Sequence, residues 1–147
     1  MRSGLARSTG MRVLVGLLAL LLSGCRGGAE SQGLESEVRF SRGGGIAGVQ
    51  QELVIAPDGG ARVTSRGRIV QRFRVTGAQR DAIARDLEDA RFSSLPKDAS
   101  PGPPVPDDFG YTVTYDGHTS SAQGSRMPDR FARAIDTLGD VARAHGM

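Results

Sequence analysis

The sequence predicts an α+β domain: a largely antiparallel sheet in β-β-β-β-α-β-β-α order, with two helices packed on one face. Three observations predict it. Four short runs of alternating apolar and polar residues are separated by glycine and proline turns, a capped amphipathic segment follows, and a hairpin then leads into a second amphipathic segment. All of them fall within residues 37–147 of the 147-residue chain.

The first strand begins at Glu37. Val38 and Phe40 face one way, and Glu37, Arg39 and Ser41 the other. The run stops at Gly43-Gly44-Gly45-Ile46-Ala47-Gly48, where four glycines in six positions favour a turn with freely chosen backbone angles. Residues 49–56 give a second strand with Val49, Leu53 and Ile55 on one face, closed by the turn Pro57-Asp58-Gly59-Gly60. Residues 61–65 give a third. After Gly67, Ile69, Gln71, Phe73 and Val75 alternate with Val70, Arg72 and Arg74 to give a fourth, so the four read as a meander.

Thr76-Gly77-Ala78-Gln79 has the capping-box spacing and opens the first helix, with Ile83, Leu87 and Ala90 on its apolar side. Its charged residues form a solvated face. Phe92 and Leu95 fold back onto the core. Residues 96–108 contain five of the seven prolines and predict a stiff, extended loop that is either functional or disordered. Tyr111, Val113 and Tyr115, then Asp116-Gly117, then His118 onward predict a two-residue type I′ hairpin pairing Tyr115 with His118. A second helix starts near Pro128 and carries the stripe Phe131, Ala134, Ile135, Leu138, Val141 and Ala142.

The amino-terminal residues differ in kind. Arg2, Arg7 and Arg12 precede an apolar run over residues 13–22, and residues 1–24 contain no acid. Ten helical residues span only about 15 Å, half a hydrocarbon core, so this is an export signal rather than a spanning helix. Leu22-Ser23-Gly24-Cys25 resembles the lipobox of bacterial lipoproteins. That resemblance implies lipidation of Cys25, removal of residues 1–24 and a membrane anchor through the N-terminal lipid, on the outside of the cytoplasmic membrane or in the outer membrane. Residues 25–36 are Gly/Ser-rich and read as a flexible tether.

The charge balance changes accordingly. The chain has 19 basic and 16 acidic residues, and removing the three arginines of the signal leaves 16 of each. With no net basic excess, a nucleic-acid partner is not expected. Cys25 is the single cysteine, so no disulfide scaffold is available.

Catalytic patterns are sparse. The two histidines, His118 and His145, have no zinc-ligand spacing, and no Gly-x-Ser-x-Gly elbow occurs. His118 reads as a solvent-exposed hairpin residue and His145 as part of a frayed terminus. The expectation is a binding domain rather than an enzyme, with no cofactor and no metal of its own.

Val38-Arg39-Phe40-Ser41-Arg42-Gly43-Gly44-Gly45-Ile46-Ala47-Gly48-Val49, the capped helix ending Phe92-Ser93-Ser94-Leu95-Pro96, the start of a strand at Asp108-Phe109-Gly110-Tyr111-Thr112-Val113 and the final helix together resemble the emfourin family of protealysin inhibitors. The resemblance covers about residues 37–143. It implies inhibition of a thermolysin-like metallopeptidase, without a metal or catalytic residue in the inhibitor. The lipobox and the long proline-rich loop depart from that pattern.

Protease-binding candidates are Gly43, Gly44, Gly45, Ile46, Ala47 and Gly48, with Ile46 suited to a hydrophobic pocket, and the stretch containing Asp107, Asp108 and Phe109, whose carboxylates suit a catalytic zinc. A tight hairpin accounts for the glycines equally well, and core packing is the favoured account of Phe109. The runner-up function is a non-inhibitory envelope domain that binds another protein or a peptide.

Overall fold

The computed structural model describes residues 33–147. The expected signal, Cys25 and the expected tether up to residue 32 lie outside the described residues. Six antiparallel strands form one sheet in the order β4-β3-β2-β1-β5-β6. They are β1 (Val38–Gly44), β2 (Val49–Ile55), β3 (Gly60–Ser65), β4 (Arg68–Arg74), β5 (Phe109–Tyr115) and β6 (His118–Gln123). The helices are α1 (Gly77–Asp89) and α2 (Asp129–Arg143). The expected α+β class and element order are both present.

Local chemistry accounts for most boundaries. The Thr76 hydroxyl accepts from the Gln79 N–H at 3.1 Å, and the Gln79 side chain accepts from the Thr76 N–H at 2.8 Å, closing the box at the start of α1. Thr76→Ala is expected to destabilise the domain by about 1 kcal/mol, read as a shifted urea midpoint at constant slope. Asp116 and Gly117 both have positive φ, +48° and +72°, as a type I′ turn requires, and Tyr115 pairs with His118.

The core lies between the helices and one face of the sheet. Phe40, Leu53, Ile55, Val63 and Val113 from the strands meet Ile83 and Leu87 of α1 and Phe131, Ile135 and Leu138 of α2. The core also includes Leu34, only 4% exposed, from the segment expected to be tether. The Glu35 N–H donates to the Tyr115 hydroxyl, and the Asp116 N–H to the Ser36 hydroxyl. The domain therefore begins a few residues before Glu37. Every residue of this core lies in the compact unit Ser31–Met147, so that segment carries its own folding core.

Three further differences are physical. The proline-rich segment is partly a strand neighbour: Asp98 bridges Ser121 in parallel, with the Ala99 N–H on the Ser121 carbonyl and the Ser121 N–H on the Lys97 carbonyl. In β4, the pairing with β3 shifts at Val63/Thr64, and this bulge leaves Ile69 and Val70 about half exposed. The ring of His145 lies 3.5 Å from that of Phe73, nearly parallel, so the expected frayed terminus is packed against β4.

Candidate functional site

β1 is the pivot of the site because it pairs on both sides, with β2 and with β5. Its last residue, Gly44, stands opposite Val49 on one side and Phe109 on the other. Two stretches far apart in sequence therefore meet at one end of the sheet. Gly43 lies in β1 opposite Gln50, and Gly45, Ile46, Ala47 and Gly48 form the turn, closed by the Gly48 N–H on the Gly45 carbonyl at 3.0 Å. The glycines do make a tight hairpin. It also presents Ile46, which is 92% exposed.

Small residues are required where the two stretches touch. A Cβ on Gly44, which has φ +99°, would stand 2.7 Å from the Asp108 carbonyl oxygen. A Cβ on Gly45, which has φ +69°, would stand 2.8 Å from the Phe109 ring. The Gly45 N–H reaches the Asp108 carbonyl at 3.4 Å. The Arg42 guanidinium sits 3.9 Å from the Phe109 ring centroid, a cation–π contact that braces the ring beneath the turn.

The two carboxylates differ sharply. Asp107 is exposed and has φ +62°, a left-handed conformation uncommon outside glycine. Asp108 is consumed structurally: one oxygen accepts the Phe109 N–H at 2.8 Å, and the other accepts the Ser125 N–H at 3.0 Å and the Ser125 hydroxyl at 2.6 Å. The expectation that Asp108 offers a ligand to zinc thus meets a carboxylate already holding the 3₁₀ turn Gly124–Arg126, whereas Asp107 is left exposed.

These bonds hold the Asp108 carboxyl below its usual range, the Ser125 hydroxyl contributing most, then the Ser125 N–H, with the Phe109 N–H and Arg126 adding to them against the opposing effect of desolvation. A folded-state value below the unfolded one stabilises the fold fully above the unfolded pKa, and that contribution is lost as pH falls through the folded value. Stability is expected to fall with acidification below about pH 4, and Asp108→Asn to flatten part of that slope in denaturation midpoints measured against pH.

Residues that sequence reasoning missed fix the proline-rich loop beside this end. Arg126 donates to the Pro101 carbonyl at 3.1 Å, to the Pro103 carbonyl and to the Gln123 side chain. Gln123 brackets Val105, accepting from its N–H at 3.0 Å and donating to its carbonyl at 3.3 Å. No local pattern marks these partners, which lie well beyond the loop they hold.

The opposite end of the sheet holds a half-open cleft of about 810 Å³, lined by residues including Glu35, Leu87, Arg91, Phe92, Tyr115 and His118. His118 is not the free hairpin residue expected. It is half-buried, edge-on to Phe92 at 5.3 Å, with Nε2 2.9 Å from the Leu95 carbonyl oxygen. Since a carbonyl only accepts, Nε2 carries the proton and donates.

Among the described residues, no group of His, Cys, Asp and Glu is placed to hold a metal ion, and no helix is long and apolar enough to cross a membrane. No protein-family model and no curated protein matches the chain.

Proposed function

We propose that this chain is a lipid-anchored extracytoplasmic inhibitor of thermolysin-like zinc metallopeptidases, and not itself an enzyme. The observation that carries the reading is the exposed Ile46 on a glycine turn braced from behind by Phe109 and Arg42. An apolar side chain on a pre-ordered turn loses little entropy on entering a hydrophobic pocket. Asp107 lies on the stretch that meets this turn and supplies a carboxylate for the protease's zinc. The resemblance to the emfourin family and the lipobox ending at Cys25 support the same reading.

The test has two parts. The segment Ser31–Met147 is titrated against a panel of thermolysin-like enzymes, and a folded domain that inhibits none of them overturns the inhibitor reading. Mass spectrometry of the native N-terminal peptide tests the anchor. An unmodified Cys25 overturns that half.

The cleft at the far end favours a second reading, a non-inhibitory envelope domain that binds another protein or a peptide. On that reading, Tyr115→Ala abolishes capture of the envelope partner, and Ile46→Asp leaves it unchanged.

A further inference from the structure

We propose that the β3–β4 hairpin is a second membrane contact, binding the anionic headgroups of a lipid surface through its arginines and seating Ile69 and Val70 at the acyl boundary. Residues 60–75 contain Arg62, Arg66, Arg68, Arg72 and Arg74 and no acid. Since the mature chain has 16 basic and 16 acidic residues, this hairpin leaves 11 basic against 16 acidic elsewhere. Charge is therefore strongly one-sided.

Most of the arginines are available. Among the described residues, Arg62, Arg66, Arg68 and Arg72 form no ion pair. Arg74 is the one engaged, donating to the Asp58 backbone carbonyl at 2.7 Å with the Asp58 carboxylate 3.7 Å away, and both side chains remain largely exposed. β4 is the outermost strand, and its bulge leaves Ile69 and Val70 at 46% and 51% exposure. Basic side chains beside an exposed aliphatic pair match a headgroup layer above an acyl boundary. A nucleic acid fits less well, because single-strand binding uses aromatic stacking and the ring of β4's aromatic, Phe73, is already covered by His145.

The contact also has an orienting role, since a polybasic patch on an anionic surface favours one face of the domain toward the lipid. This inference does not depend on protease inhibition, and it is read on the unlipidated segment Ser31–Met147.

The experiment is co-sedimentation of that segment with phosphatidylglycerol-containing vesicles and with phosphatidylcholine vesicles. Binding to the first and not the second is expected, weakening with salt. At about a fivefold gain per arginine near an anionic surface, the combined variant Arg66→Ser, Arg68→Ser, Arg72→Ser should partition about a hundredfold less. Ile69→Asn with Val70→Ser should lower partitioning roughly tenfold at unchanged charge. All these side chains are exposed, so unfolding midpoints should stay near the parent's.

No binding to anionic vesicles, or equal binding to both kinds, overturns the proposal. So does equal affinity for duplex DNA or polyglutamate, of which the second would assign the patch to any polyanion. Arginines that merely protect a sheet edge give a distinct result that also overturns it: unchanged partitioning of the triple variant, accompanied by new oligomers.

Discussion

Ile46→Asp is expected to weaken inhibition of a thermolysin-like enzyme by about a hundredfold while leaving the unfolding midpoint of Ser31–Met147 unchanged. The side chain is 92% exposed, so the folded domain loses no packing when it is replaced. In a complex, an apolar anchor in a desolvated pocket typically accounts for about 2–4 kcal/mol, and a carboxylate there adds a desolvation penalty. Inhibition constants and urea midpoints measured on the same preparation check both halves. Inhibition that survives the substitution would remove Ile46 from the interface.

Gly44→Ala is expected to do otherwise, lowering stability and inhibition together. Its Cβ would stand 2.7 Å from the Asp108 carbonyl oxygen at φ +99°, so the new residue is strained twice over. A cost of about 2–4 kcal/mol follows, and relief requires β1 and β5 to part at the register where Gly44 faces Phe109. That movement withdraws the support beneath the 45–48 turn. The pair of variants separates a contact from its scaffold: the first is read in binding alone, the second in the urea midpoint as well.

What was legible in the sequence was what neighbours in the chain decide. Thr76 and Gln79 cap each other across three residues, and Asp116-Gly117 specifies its own turn, so both could be read directly. Long-range partners left no such mark. Nothing near Gly44 names Phe109, and nothing near Asp108 names Ser125, because pairing between distant segments is settled by how the whole sheet packs. Leu34 was missed for a related reason. A single apolar residue in a Gly/Ser stretch has no period, yet it reaches the core because Glu35 and Ser36 are held by the Tyr115 and Asp116 end of the hairpin. In β4 the alternation was visible, but a bulge displaced its register and left two aliphatic residues outside.

The strand β1 carries the Ile46 turn at one end and follows the Leu34–Ser36 segment at the other. In the proposed anchored molecule, tension between a captured protease and the lipid at Cys25 would therefore enter the sheet at the two ends of β1, the strand bonded to neighbours on both sides. That load runs through the covalent backbone of β1 itself, and the ladders on both sides, whose hydrogen bonds lie across the strand, hold it in register. In that proposed molecule the fold would couple a captured enzyme mechanically to the surface that holds it.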